Sequence, residues 1–254
     1  MTYTAVVLAG SRPGRDSFAE SFGTDLKALI PVSGEPMIRR PVRALVESRS
    51  IGRIIVLGQA PERIAAALPD DPRIEVRESA GTIAGTVLGL LDDPATQWPL
   101  LVTTADHALL DPATVDEFCN AAKAAGIAIG VVERANLLAR LPQSQRTWLK
   151  FRGGAYTGAN LFALRSPDVR PAIEQWRSVE QDRKKAWRIL SLLGPATLVL
   201  VALRLISLDQ VMVRLSARLG LTIRSVPLSN PLAGVDVDKA EDHALVEAIL
   251  AGKA

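Results

Sequence analysis

Asp106 closes an apolar run, Leu101-Val102-Thr103-Thr104-Ala105-Asp106. A strand that ends in one carboxylate delivers a hard oxygen ligand to the edge of a sheet. That is a usual way to hold a Mg²⁺ ion that bridges phosphates, and Mn²⁺ would fit the same donors. Two further carboxylates, Asp236 and Asp238, stand at i and i+2 in Gly234-Val235-Asp236-Val237-Asp238, so an extended segment turns both the same way. Asp238 with Glu241 also has the form of a capping box for a last helix over 238–251, which leaves Asp236 as the freer metal ligand. The positive partners stand near the start of the chain. The run Val6-Val7-Leu8-Ala9 stops at Gly10, and Ser11, Arg12, Pro13, Gly14 and Arg15 follow. A buried strand ending in a glycine-rich basic loop offers backbone N–H groups and positive charge to phosphates. Lys27, just before the apolar run Ala28-Leu29-Ile30, aims at the same place. The spacing is neither that of a Walker A loop nor Gly-x-Gly-x-x-Gly.

Two polar, small-residue stretches could complete such a site. Ser79-Ala80-Gly81-Thr82-Ile83-Ala84-Gly85 opens a helical pattern with little bulk, so a flat ring can approach its backbone; Gly81, Thr82 and Gly85 are read as the base and ribose wall, with close helix–strand packing as the alternative. Thr157, Gly158 and Asn160 enter a strand and would suit an acceptor's hydroxyls. Asp111 before Pro112 reads as an N-cap with proline at the first helical position. His107 reads as lining its loop and His243 as a surface or capping residue; two histidines exclude a His-rich metal site. The lone cysteine, Cys119, excludes an internal disulfide framework.

The elements that must position these residues alternate. Strand patterns at 4–9, 53–57, 73–76, 99–103 and 127–132 are interleaved with helical ones at 36–48, 61–68, 82–92 and 112–124. This predicts βαβ units and a mostly parallel sheet, with ligands at the carboxyl ends of the strands. A hairpin or arm is expected from about 135, a strand over 161–164, a helix opened by Ser166-Pro167, and a return strand over 221–226. The stretch 183–220 reads as a helical insertion. In it Ser207 and Gln210 form a capping box, Leu208, Val211, Met212, Leu215 and Leu219 make an apolar stripe, and Gly220 is the stop. The whole chain, 1–254, is expected to be one domain with an acceptor-side arm and insertion at about 135–220.

Composition narrows the classes. Thirty Lys and Arg against 27 Asp and Glu give a net charge of +3, too small and dispersed to argue for nucleic acid. The start of the chain has no signal-peptide pattern, which points to the cytoplasm. The apolar stretch 189–208 is broken by Gly194-Pro195 and falls short of the roughly 20 residues a spanning helix needs. A buried helix pair is the simplest reading. Peripheral contact with the inner membrane face or a lipid precursor through 187–220, with its Arg188, Arg204, Arg214 and Arg218, is the alternative, and a homodimer interface is a third.

In order, these pieces resemble the GT-A-type nucleotidyltransferases, the MobA-like NTP transferases among them. That group includes enzymes of molybdenum-cofactor, cobinamide-phosphate and sugar- or polyol-phosphate chemistry. The family's Leu-Ala-Gly-Gly-x-x-x-Arg, later Lys and Gly-x-Pro are similar to Leu8-Ala9-Gly10-Ser11, Arg15, Lys27 and Gly34-Glu35-Pro36; its strand-end Asp is similar to Asp106, and its C-terminal Asp-x-Asp to Asp236-Val237-Asp238. Ser11 replaces the second glycine, and Lys239-Ala240 replaces Thr-Pro. The resemblance implies a Rossmann-like three-layer α/β/α fold with a mixed, mostly parallel sheet. It implies an enzyme that couples an NTP to a phosphorylated acceptor and releases pyrophosphate. Arg15, Lys27 and Asp106 would be catalytic, Leu8, Ala9, Gly10, Ser11, Gly14, Arg15 and Lys27 would hold the nucleotide, and Asp106 and Asp236, with Asp238 as a lesser ligand, would hold the metal. A GT-A glycosyltransferase or a non-catalytic nucleotide-binding domain are the competing readings.

Overall fold

In the computed structural model, residues 2–10, 15–79, 81–180 and 194–253 are described. The elements in chain order are β1 (Tyr3–Leu8), α1 (Ser17–Glu20), β2 (Pro31–Val32), β3 (Glu35–Pro36), α2 (Arg39–Glu47), β4 (Ile51–Gly58), α3 (Pro61–Ala67), β5 (Ile74–Glu78), α4 (Ile83–Asp92), β6 (Leu100–Thr104), α5 (Pro112–Ala122), β7 (Ile127–Glu133), α6 (Arg134–Arg140), β8 (Leu149–Phe151), β9 (Gly154–Leu164), α7 (Arg170–Glu180), α8 (Pro195–Ala202), α9 (Leu208–Leu219), β10 (Ile223–Pro227) and α10 (Ala240–Leu250).

The main sheet runs β10-β7-β9-β6-β1-β4-β5, with β8 added to β9. All pairs are parallel except those of β9, which lies antiparallel to β6 and β7. Its strands read as continuous apolar runs because helices cover both faces. Ala5 and Val7 point to one core with Val42, Phe118 and Leu137, whereas Val6 points to the other with Val87, Leu88 and Ile173. The mostly parallel sheet expected from the alternation and the three-layer architecture implied by the resemblance both form.

Local chemistry explains several boundaries. The side chain of Asp111 accepts the Thr114 N–H at 2.7 Å and starts α5. Ser207 and Gln210 close the expected capping box, and Gly220 ends α9 at φ 65°. The β2–β3 hairpin turns on Ser33 and Gly34, both at positive φ, the two-residue turn that matches strand twist. The helix α6 was not read from the sequence, which suggested only an arm from about 135. Ser166 does not cap through its side chain: a 3₁₀ turn over Pro167–Val169 precedes α7, and Ser166 Oγ donates instead to Asp168 at 2.8 Å.

The expected buried pair over 189–208 lies partly outside the described residues. Of the rest, Thr197, Ile206 and Leu208 are buried, whereas Val199, Leu203 and Leu205 are exposed. No helix among the described residues is long and apolar enough to cross a membrane.

Candidate functional site

The carboxyl ends of β1, β4, β5 and β6 meet on one edge, held by bonds that continue past the strands. Ala9 N–H donates to Leu57 O at 2.8 Å, Ala105 N–H to Leu8 O at 3.0 Å, and Ser79 N–H to Gly58 O at 3.1 Å. The backbone of Leu8 and Ala9 is therefore engaged in the sheet, and these two residues act as supports for Gly10. A side chain at Gly10 would crowd Ser79 Oγ, 3.2 Å from the Cβ position. The same hydroxyl accepts the Gly81 N–H at 3.3 Å, and Gly81 sits at φ 92°. Thr82 caps α4 by accepting the Gly85 N–H at 3.0 Å. Gly10 and the small-residue stretch thus share one edge, and Thr82 and Gly85 serve the helix start there. Ser11, Arg12, Pro13 and Gly14 lie outside the described residues. Arg15 pairs with Glu20 at 2.7 Å, its side chain largely exposed.

The acidic residues converge, and the convergence is built by two alternations. Leu26, Ala28 and Ile30 are buried, which turns Lys27 outward from its 3₁₀ turn. Val235 and Val237 are fully buried, so Asp236 and Asp238 face the other way, as their spacing predicted. The Val237 N–H donates to Asp106 O at 3.1 Å and brings the two acidic segments together. Lys27 Nζ then donates to Asp106 Oδ2 and to Asp238 Oδ1, each at 2.6 Å. Thr104 Oγ1 fixes the other Asp106 oxygen at 2.6 Å. Burial pulls the Lys27 ammonium down, but Asp106 and then Asp238 outweigh it and hold it above its ordinary value.

Asp238 does not take the capping role read from sequence. Lys239 occupies the N-cap of α10 without a side-chain cap bond, so Asp238 is no cap; its N–H donates to Asp242 Oδ2 at 3.2 Å and its side chain meets Lys27. Asp236 is the more restrained of the pair. Arg146 donates to its Oδ1 and, at 3.0 Å, to its backbone oxygen, while Asn160 Nδ2 donates to its Oδ2 at 3.1 Å. Arg146 also faces Asp242 at 3.4 Å. Burial raises the Asp236 carboxyl above its ordinary range; Arg146 opposes this, and Asp238 and Asp106 reinforce it.

Asn160 reaches Asp236 because of a bulge. Between the pairs Ile129↔Phe162 and Val131↔Gly158 the strand β9 carries extra residues, and Asn160 adopts φ 48°. Of its expected acceptor-side partners, Gly158 is exposed, and Thr157 packs its methyl where a Gly234 Cβ would lie 3.0 Å away. Arg146 was missed. It lies in an aperiodic polar loop, and no spacing rule points from it to Asp236. His107 is fully buried rather than loop-lining, beside Thr103 Oγ1 at 3.4 Å from Nδ1; burial pushes its pKa down to about 4. His243 is partly buried and meets Pro31 O at 2.7 Å from Nε2.

The donor set fits a divalent cation. Lys27 and Arg146 are two cations against the four carboxylates Asp106, Asp236, Asp238 and Asp242. A positive group is already accommodated between Asp106 and Asp238. Among the described residues no three acidic, imidazole or thiol groups form a ready metal cage. Magnesium needs none, because it takes one or two carboxylates together with substrate phosphates and water.

A doubly covered sheet with small residues, an ammonium and clustered carboxylates at the strands' carboxyl ends puts the candidate site where open α/β sheets bind their ligands. The model of the MobA-like NTP transferase domain matches residues 5–197, and the chain belongs to that family. No curated protein matches the chain in sequence. Among solved structures it is similar to a hypothetical transferase from Thermus thermophilus, with 30% identity over 96% of this chain and 100% of that one and a TM-score of 0.82. The fold is also similar to 4-diphosphocytidyl-2C-methyl-D-erythritol synthase from Anaerococcus prevotii, at 12% identity, 98% and 96% coverage and a TM-score of 0.60. A third neighbour is CMP:2-keto-3-deoxy-manno-octonic acid synthetase complexed with CTP, at 12% identity, full coverage of both chains and a TM-score of 0.61.

Proposed function

We propose that the chain transfers a nucleotidyl group from an NTP to a phosphorylated small molecule, with Mg²⁺ or Mn²⁺, and releases pyrophosphate. The observation that carries this reading is the convergence of Lys27 on Asp106 and Asp238, beside Asp236, at the strands' carboxyl edge. An oxygen of the acceptor phosphate attacks the α-phosphorus, and the bond from that phosphorus to the bridging oxygen breaks. Pyrophosphate leaves with the electron pair. The attacking oxygen is already an anion, so no general base is needed. Catalysis is then positioning and charge stabilisation.

Asp106 and Asp236 would hold the metal, with Asp238 able to join when Lys27 moves to phosphate. The metal would neutralise charge on the phosphates and on the attacking oxygen. Gly10, with Ser11 and Gly14, would admit the triphosphate close to the backbone. Lys27 would contact it, and Arg15 could reach it on leaving Glu20. Gly81, Thr82 and Gly85 would flank the base and ribose. Asn160 would act through Asp236, with Thr157 and Gly158 on the acceptor side.

The test is a pyrophosphate-release screen of the four NTPs against sugar, polyol and cofactor phosphates with Mg²⁺. CTP is the first to try, since two fold neighbours carry cytidine nucleotides in their names. Release that requires both an NTP and a phosphorylated acceptor supports the reading. Transfer of sugar from a nucleotide sugar, with no pyrophosphate, would replace it by the glycosyltransferase reading.

A further inference from the structure

We infer that the outer face of α8, with the turn that follows it, rests on an anionic lipid surface and holds the protein there as a peripheral contact. Pro195, Ala196, Val199, Ala202 and Leu203 recur at helical spacing and are all exposed, whereas Thr197, the one polar residue of α8, is buried. A surface helix in water turns its apolar stripe to the core and its polar side outward; α8 does the reverse. Val199 is 56% exposed, Leu203 62% and Leu205 51%. No residue of α8 belongs to either apolar core. The neighbouring helix sets this orientation. Leu208 and Val211 anchor α9, and Arg214 of α9 donates to Thr197 Oγ1 at 3.3 Å, so α8 is held on its Thr197 side with the stripe outward. Its eight residues rise only about 12 Å, so the stripe can lie along a bilayer surface but not cross it.

The charge around the stripe matches an anionic surface. Over 181–220 the sequence holds seven Lys and Arg against two Asp, while the rest of the chain has 23 Lys and Arg against 25 Asp and Glu. This segment therefore carries the whole positive excess. Arg183, Lys184, Lys185 and Arg188 of that set lie outside the described residues. Of the others, Arg204 stands between Leu203 and Leu205 at φ 55°, the left-handed helix-end position that glycine usually fills. Arg214 and Arg218 reach the first turn of α8, with Arg218 Nη1 2.8 Å from where a Gly194 Cβ would lie. Arg152, also exposed, donates its N–H to Ile206 O at 2.9 Å. The one carboxylate over 194–220, Asp209, accepts from Ser225 Oγ at 3.3 Å. A second copy seated on this face would set arginines against arginines. Protein interfaces are anchored by Trp, Tyr and Arg, with Leu and Val under-represented. Acyl chains and headgroup phosphates ask instead for aliphatic side chains with cations beside them, which is the composition here.

The test is flotation of the full chain with phosphatidylcholine vesicles, with and without about one third phosphatidylglycerol. The protein should rise with the anionic vesicles and stay behind with the neutral ones. Raising the salt from about 0.1 M to about 1 M, which shortens the screening length from about 10 Å to about 3 Å, should weaken binding at least about tenfold. Arg204→Ala should weaken it about fivefold, equivalent to the roughly 1 kcal/mol of one basic residue at such a surface. Val199→Gln combined with Leu203→Gln should weaken it at least about tenfold and keep the wild-type melting temperature, because both side chains are exposed. Val199→Ser with Leu203→Ser repeats the test with smaller polar side chains. No flotation with the anionic vesicles, equal flotation with the neutral ones, or undiminished binding by the double variants overturns the inference. So does a dimer in sedimentation velocity that Leu203→Gln dissolves, which would give the face to a second copy.

Discussion

Lys27 reaches two carboxylates that come from chain segments far apart in sequence, and its removal leaves Asp106 and Asp238 facing each other across the space it filled. Lys27→Ala and Asp106→Ala are each expected to lower turnover by at least about a hundredfold, the scale of losing one charge-stabilising group. Circular dichroism should show the wild-type fold in both, because Lys27 and Asp106 lie at the sheet's edge. Wild-type pyrophosphate release from either variant would remove its residue from the catalytic set. His107 gives a pH dependence of known sign. Its folded pKa, about 4, lies below the ordinary 6.5 because burial disfavours the charged ring. The unfolded chain therefore binds a proton first as pH falls. The His107 contribution is intact above about pH 6.5 and is lost as pH drops toward about 4, with some 2 kcal/mol gone by pH 5. Urea unfolding at pH 7 and pH 5 checks this: His107→Gln should flatten that part of the dependence. An unchanged slope would place the proton uptake elsewhere.

At the scale of elements, the bulge in β9 sets the aim of one side chain. Asn160 holds a left-handed backbone, which costs a residue with a Cβ about 1–2 kcal/mol, and directs its amide to Asp236. Asn160→Gly relieves the strain and removes the amide; Asn160→Ala removes the amide and keeps the strain. The glycine variant should melt above the alanine variant, while both need more Mn²⁺ for half-maximal activity than the wild type. Equal melting temperatures would show that the bulge carries no strain. This element also marks how far sequence could go. The strands β1, β4, β6 and β7 were legible as continuous apolar runs, and Asp111, Ser207 with Gln210, and Gly220 were legible as caps because capping is decided within four residues. Asp106 with Asp236 was legible from strand ends and period-two spacing. Arg146 was not, since its partner is ninety residues away, and neither was the helix α6. The capping-box reading of Asp238 failed because α10 starts one residue later, from Lys239, and the Asp238 carboxylate meets Lys27 from the other end of the chain instead.

The whole molecule is a sheet clad on both sides, and its two cores depend on each other through alternating residues of the same strands. Phe118 sits fully buried between α5 and the sheet, facing Gly130. Phe118→Ala should cost about 3–5 kcal/mol of stability in equilibrium unfolding, and a loss below about 1 kcal/mol would mean the site collapses onto the smaller side chain. In α9, Leu208 and Val211 are buried and Met212, Leu215 and Leu219 pack on the second core, while Val199, Leu203 and Val213 are exposed. The edge proposed to carry the chemistry is formed by the sheet, Lys27 and the 235–238 segment, and nucleotidyl transfer is the reaction proposed there. It is tested most directly by following an NTP labelled at the α-phosphate, together with the acceptor phosphate found in the screen, by ³¹P NMR and mass spectrometry. The expected product carries the labelled nucleoside monophosphate joined to the acceptor phosphate, with one pyrophosphate formed per product. Release of orthophosphate with no joined product, or a nucleoside diphosphate as the leaving group, would contradict it.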